Sequence, residues 1–182
     1  YDRLDDRYLP NKGNFARVTL IGSADWLGSD DDYKQLKMSG VLTRSFGRHT
    51  LLGGVSVDAT FDGVAPSYAL FGGGGLFNLS GFNLGEISGQ NFGVAVAGYQ
   101  YHILGGFVPG RIGVSLEYGG VKDDWEDLFQ DGLVHGSVYA GFRTPIGPAY
   151  FGYGVGESPS GDTAQRWFLK FGRIFGSNSV IR

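Results

Sequence analysis

Residues 167–175 alternate with period two. Trp167, Leu169, Phe171 and Phe175 fall on one face, and Phe168, Lys170, Gly172 and Ile174 on the other. An extended segment with one greasy side, an aromatic at either end and Arg173 long enough to snorkel toward an interface has the form of a lipid-facing barrel strand. The edge strand of a soluble sandwich shares that alternation, so this segment alone leaves both classes open. Composition narrows them: 33 Gly, 15% aromatics and a single Met favour strands and turns over helices. No apolar run reaches the eighteen or so residues that a membrane helix needs, so a bilayer-spanning form of this chain is a barrel.

Eight segments carry the alternation between turn-forming residues: 14–27, 33–46, 49–61, 91–104, 111–121, 133–144, 149–157 and the closing 167–175. In the first, Ala16, Val18, Leu20 and Trp26 oppose Arg17, Thr19, Ser23 and Asp25. In the second, Leu36, Met38, Leu42 and Phe46 oppose Gln35, Lys37, Ser39 and Thr43, and Arg44 interrupts the apolar side. The fourth alternates poorly, because Val94 and Val96 lie opposite Ala95, Ala97, Tyr99, Tyr101 and Ile103. The polar sides together carry Arg17, Asp25, Lys37, Asp58, Glu117, Arg143 and Lys170 among Gly and Ser, the composition of a hydrated or plugged lumen. Aromatics gather near strand ends, at Trp26, Phe46, Phe61, Tyr118, Phe142, Trp167 and Phe175, where interfacial girdles belong.

Connections alternate in length. Short turns fall at Gly47-Arg48, at 104–110 and at 144–148, and longer polar loops at 28–32, 62–90, 122–132 and 158–166. Outer-membrane barrels keep short turns in the periplasm and long loops outside, which puts both chain ends on the periplasmic side. The expected fold is therefore all-β: an antiparallel up-and-down transmembrane barrel domain over 1–175, with 176–182 a non-native or linker tail that leaves the strand pattern. The chain opens at Tyr1 without an initiator Met, as a processed or partial chain does.

Chemistry is sparse. No Gly-x-Ser-x-Gly elbow occurs, and the Gly72–Gly75 run lacks the Gly-Lys-Ser/Thr ending of a phosphate cradle. His49, His102 and His135 have no metal-ligand spacing and read as wall or turn residues. The acidic stretches 29–32 and 122–127 lack ordered calcium-loop spacing. The expectation is a non-enzyme without catalytic, cofactor-binding or metal-ligating residues. A net charge of −3 with no basic patch excludes a nucleic-acid partner. An eight-stranded barrel acting on lipid and a lipocalin-type soluble barrel are the competing classes; the first lacks a visible rim cluster, and the second calls for an apolar lumen.

Three stretches at matching spacing resemble the C-terminal half, the last eight strands, of the sixteen-stranded barrel of the BamA and two-partner-secretion transporter superfamily. They are the opening segment Leu4-Asp5-Asp6-Arg7-Tyr8-Leu9-Pro10-Asn11-Lys12-Gly13, the periplasmic turn Thr144-Pro145-Ile146-Gly147-Pro148, and the terminal Phe171-Gly172-Arg173-Ile174-Phe175. The long insertion between the third and fourth segments stands where that family keeps its sixth extracellular loop. Within it, Leu79, Gly81 and Phe82 match the family's loop-tip motif, while Ser80 stands where Arg is usual. The wording Phe77-Asn78-Leu79-Ser80-Gly81-Phe82 looks most like the patatin-linked, PlpD-type branch of type Vd autotransporters.

The resemblance implies a bacterial outer-membrane translocator module whose parent moves or inserts polypeptide, with a patatin-like lipase as the passenger. It also implies Phe171, Gly172 and Phe175 as the signal read by the outer-membrane assembly machinery, and Glu117 as the lumen-wall partner of the loop motif. Lipid bilayer, lipopolysaccharide and the passenger polypeptide are the implied partners. With Ser80 in place of Arg, its hydroxyl offers Glu117 a bond roughly half as strong as a charge-assisted pair, so the loop is expected to remain in the lumen but to be held mainly by packing of Leu79 and Phe82. Eight strands leave two edges to close, either by the last strand pairing with the first or by two chains forming a sixteen-stranded homodimer. Effective concentration favours the small monomeric barrel, whose narrow lumen would displace the loop outward.

Overall fold

The computed structural model describes residues 1–6, 10–24, 28, 30–103, 110–145 and 147–172. Eight strands form one antiparallel sheet in which each hydrogen-bonds to its neighbour in sequence: β1 (Gly13–Ser23), β2 (Tyr33–Phe46), β3 (His49–Gly63), β6 (Asn91–Ile103), β7 (Gly110–Lys122), β8 (Leu133–Thr144), β9 (Gly147–Glu157) and β10 (Thr163–Phe171). Two three-residue strands, β4 (Phe71–Gly73) and β5 (Ile87–Gly89), pair with each other inside the 64–90 connection, which also holds the 3-10 turn Ser67–Ala69. No α-helix occurs among the described residues.

The alternation in sequence becomes two faces. Val18, Leu20, Leu42, Leu51, Leu116, Val138, Phe151, Trp167 and Leu169 are exposed on the outer face, and Trp167 stacks on Phe151 with ring centroids 5.4 Å apart. Gln35, Thr43, Thr50, Ser115, Glu117, His135 and Ser137 are buried on the opposite face, where the 64–90 connection covers Gln35, Glu117 and His135. A soluble sandwich inverts this arrangement, burying its apolar face and showing water the polar one. The tight turn between β2 and β3 has Gly47 at φ 61°, the positive φ that a two-residue type II′ hairpin requires at its first central position.

Strand bounds agree with the sequence reading for β2 and β8 and differ most at the last strand. Thr163–Trp167 pairs with Glu157–Tyr153, so β10 starts four residues before Trp167 and the preceding loop is correspondingly shorter. β1 stops at Ser23, and Asp25 and Trp26 lie outside the described residues, as do Ile146, Arg173, Phe175 and the 176–182 tail. The poor alternation of β6 has a physical cause. Phe92, Val94 and Val96 face the connection and join its Phe71, Leu76, Phe77, Leu79 and Phe82 in one buried apolar cluster, so that strand is apolar on both sides.

The expected closure of the last strand onto the first is corrected. β10 pairs only with β9 among the described residues, and part of the edge of β1 is already taken by the opening segment. Asp2 bridges Phe15, Arg3 N–H donates to the Asn14 carbonyl (2.9 Å), Asp5 N–H to Lys12 (3.1 Å) and Ala16 N–H to Tyr1 (2.9 Å). Residues 1–5 thus run antiparallel along the first half of β1 as a ninth, partial strand.

Candidate loop dock on the inner wall

The 64–90 connection lies against the inner face, in keeping with a lumenal loop; the outward displacement expected of a small monomeric barrel does not hold. Its neck is closed by Gln90, whose side chain exchanges two hydrogen bonds of 3.0 Å with the backbone of Ala65. Gln35 on β2 donates to the Ala69 carbonyl (2.9 Å), and the Lys37 ammonium sits 5.0 Å from the centre of the Phe71 ring. Tyr68 donates its phenol hydrogen to Asp31 of the neighbouring loop, and that bond to a carboxylate pushes the phenol up to about 12.

The tip of the connection is a tight structure built against strain. Phe77 and Leu79 adopt φ of 62° and 67°, a region that costs a non-glycine residue on the order of 1 kcal/mol or more and persists only where surroundings impose it. The surroundings here are the wall. Leu79 and Ser80 are fully buried, Phe77 meets Tyr139 edge-on at 5.3 Å, and Phe82 lies 4.8 Å from the His135 ring. Within the tip, Gly75 N–H donates to the Phe82 carbonyl (3.0 Å), and the Glu86 carboxylate accepts from both Asn83 nitrogens, at 2.6 and 2.8 Å.

Two cross-strand rows of the wall receive this tip. The first runs Val96, Glu117, His135, Gly156, Ala164; the second runs Gly98, Ser115, Ser137, Gly154, Arg166. Glu117 accepts the Ser80 backbone N–H at 2.6 Å and the Ser115 hydroxyl at 2.7 Å. With its hydrogen committed to Glu117, Ser115 receives that of Ser137, 2.7 Å away, and the relay fixes the carboxylate in place. Gly81 N–H donates to His135 Nδ1 (3.1 Å), which puts the hydrogen of the neutral imidazole on Nε2. Arg166 Nη1 donates to the Phe82 carbonyl at 2.7 Å.

The expected hydroxyl bond from Ser80 to Glu117 is therefore replaced by one from the Ser80 amide, a donor that every residue type except proline supplies. Three participants were not read from the sequence. Alternation alone starts the last strand at Trp167 and leaves Arg166 in the preceding loop, and it gives His135 no role beyond that of a wall residue. Nor does alternation alone give the glycines of β9 a role. A Cβ at Gly154 would collide with the Ser80 carbonyl and one at Gly156 with the His135 ring, so these glycines form the slot into which the tip's backbone fits. The signal available in sequence was the register: Glu117, His135 and Gly156 fall opposite one another once the hairpins are aligned.

A second cluster closes the short-turn end of the same face. Arg111 on β7 donates to the Pro10 carbonyl (3.0 Å), Asn11 Oδ1 (3.0 Å) and Gln100 Oε1 (2.9 Å), and Gln100 donates to the Tyr139 hydroxyl (3.0 Å). Ser45 donates to the Asn11 carbonyl at 2.7 Å, and Arg143 pairs with Asp6. Asp5 accepts the Asn11 and Lys12 N–H groups at 2.8 and 3.0 Å. Partial burial pushes Asp5 up, but these bonds outweigh it and leave its carboxyl below the ordinary value. Of the turn residues singled out from the sequence, Thr144 donates to the Gly147 carbonyl at 2.5 Å, Pro148 is buried, and Pro145 ends the two-residue turn's described part. Phe171 is exposed on the outer face at the end of β10, and Gly172 N–H donates to the Pro148 carbonyl at 2.9 Å. Among the described residues no group of His or acidic side chains converges as a metal site.

No family model and no curated protein sequence matches the chain. Among solved structures it is similar to BamA from Haemophilus ducreyi lacking POTRA domains 1–3, with a TM-score of 0.71 at 18% sequence identity over 93% of this chain. The chain spans about 40% of that protein's length. At this identity the likeness is one of fold: an antiparallel up-and-down sheet arranged as part of a BamA-like barrel wall.

Proposed function

We propose that this chain is the loop-bearing part of an outer-membrane barrel of translocator or insertase type, with the remaining strands supplied by a longer parent protein. The observation that carries the reading is the docked loop tip: a strained, buried Leu79-Ser80-Gly81-Phe82 turn held by Glu117, His135 and Arg166 on a wall that is apolar outside and polar within. A loop fixed to one wall of a wide barrel leaves the rest of the lumen as a path for an extended polypeptide, and the work is done by shape and hydrogen bonding without covalent chemistry. The exposed apolar band and the BamA-like fold support an outer-membrane placement. The loop wording Phe77-Asn78-Leu79-Ser80-Gly81-Phe82 supports the finer reading that the passenger is a patatin-like lipase.

The test is surface display by the intact parent in living cells. An epitope placed upstream of the barrel is expected to become accessible to external antibody, and deletion of residues 74–86 to abolish that exposure while heat-modifiable migration of the folded barrel persists. An epitope that stays periplasmic in the unaltered parent overturns the reading.

A further inference from the structure

The two wall residues that take the tip's amides are acceptors of different kinds. Glu117 receives the Ser80 N–H on a carboxylate oxygen at 2.6 Å, and His135 receives the Gly81 N–H on ring Nδ1 at 3.1 Å. An imidazole nitrogen accepts only while it carries no hydrogen, and in the protonated ring both nitrogens are donors. A hydrogen on Nδ1 would point at the Gly81 N–H and turn the bond into a clash of two donors. The ring has no room to step back while the tip is docked. It is buried, with the Phe82 ring 4.8 Å away on the loop side, and a Cβ at Gly81 would lie 2.8 Å from Nδ1 and one at Gly156 2.3 Å from the ring.

The charges around the ring supply the alternative arrangement. On β7, Glu117 is the direct cross-strand neighbour of His135 on the same face, within reach of an ion pair. On β9, Gly156 stands opposite the ring, and the next residue, Glu157, is exposed and accepts the Val134 N–H at 2.9 Å. The loop tip brings no ionisable side chain between residues 76 and 83, and Glu86 beyond it is bound to Asn83. β10 contributes the cation Arg166, engaged with the Phe82 carbonyl. With the tip in place the ring is buried and Glu117 is committed to Ser80 and Ser115. With the tip away, the ring meets water and a carboxylate with an oxygen to spare. An imidazolium turned toward Glu117 competes with the Ser80 amide for that oxygen, so a single proton loosens both amide bonds.

We infer that His135 is a proton-operated latch for the loop tip: the neutral ring holds Gly81 and keeps the tip on the wall, and the protonated ring turns to Glu117 and releases Ser80 and Gly81 together. The docked tip accepts the ring only without its extra proton, so the hold is present above the ordinary histidine value of about 6.5 and is lost as pH falls below it. The latch stands on the geometry of the dock alone; that its release opens the lumen rests on the translocator reading.

The test is amide hydrogen exchange of the 74–86 segment in the detergent-solubilised intact parent, corrected for the intrinsic rate. Between about pH 7.5 and about pH 5.5 the exchange is expected to rise about tenfold, the effect of one proton taken up on undocking by a histidine of ordinary value, while peptides from β7 and β8 keep their protection. His135→Asn offers the Gly81 amide a side-chain oxygen that takes up no proton in this range, and it is expected to exchange slowly at both ends. His135→Phe, a ring without an acceptor, is expected to exchange fast at both ends. Exchange that ignores pH in the unaltered parent, a rise that persists in His135→Asn, or a rise shared by β7 and β8 overturns the latch. A tip released by acid in a parent that displays no epitope overturns the translocator reading alone, and an acid-insensitive tip in a parent that displays one overturns the latch alone.

Discussion

At the level of single residues the loop dock depends on backbone more than on side chains. The tip presents the amides of Ser80 and Gly81 to Glu117 and His135, and it approaches β9 where the wall has no side chains at all. Gly154→Ala places a methyl group on the Ser80 carbonyl. That overpacking is expected to cost about 1–3 kcal/mol and to make the 74–86 segment cleavable by a protease that leaves the unaltered barrel intact. Glu117→Ala leaves the Ser80 amide and the Ser115 hydroxyl without their acceptor, each worth about 1–3 kcal/mol when buried and unpaired. The same protease assay is expected to report it, with Glu117→Gln intermediate because its amide carbonyl still accepts one of the two bonds. Ser80→Ala, by contrast, keeps the amide donor and is expected to leave the loop protected. That ordering is invisible in a residue-by-residue reading of the loop motif, which assigns the bond to the side chain at position 80.

Elements were legible where period two is clean and turns are tight, as in β2 and β8, whose bounds follow directly from alternation and from Gly47 and Pro145. They were less legible where tertiary contacts replace the rule. β6 hides its inner and outer sides because the loop buries Phe92, Val94 and Val96, and β10 begins among polar residues because Arg166 turns inward to hold the Phe82 carbonyl. The opening segment is the clearest case: nothing in its composition announces a strand, yet residues 1–5 pair along β1 and the following turn is gripped by Arg111. The Asp5 carboxyl is held below its ordinary value of 3.8 by the Asn11 and Lys12 hydrogen bonds. A depressed carboxylate contributes stability that is present above its unfolded value and lost as pH falls through the folded one. Amide exchange of residues 12–16, corrected for the intrinsic rate, is therefore expected to rise below about pH 4. In Asp5→Asn it is expected to be raised at every pH and flat across that range. Arg111→Ala is expected to raise it at neutral pH as well, since the Pro10 and Asn11 acceptors lose their common donor.

For the molecule as a whole, the question that alternation cannot answer is how the sheet ends. Outside and inside were readable because a lipid-facing wall repeats its pattern strand after strand, whereas edge pairing depends on which backbone groups find partners at long range. The opening segment covers the edge of β1 as far as Ala16; among the described residues no strand other than β2 runs beside the rest of β1, and β10 pairs with β9 alone. In hydrocarbon each unpaired backbone group costs several kcal/mol, so a wall that stops there is unstable in a bilayer by more than a domain's ordinary margin. Direct pairing of β10 with β1 would have to expel residues 1–5 and break the Arg111, Asp5 and Asp6 contacts, and it would narrow the barrel around a loop that already fills the inner face. Pairing with further strands avoids both costs. Native mass spectrometry of the chain refolded alone into micelles is accordingly expected to show a two-chain species, in which each β10 continues the ladder at the other chain's opening segment, in preference to a single chain. Co-refolding with the upstream strands of its parent is expected to replace that species with a one-to-one complex, because those strands continue the ladder residues 1–5 have begun. A dominant single-chain mass with slow amide exchange along both β1 and β10 would mean that the small barrel closes after all, at the expense of the opening segment and the docked loop.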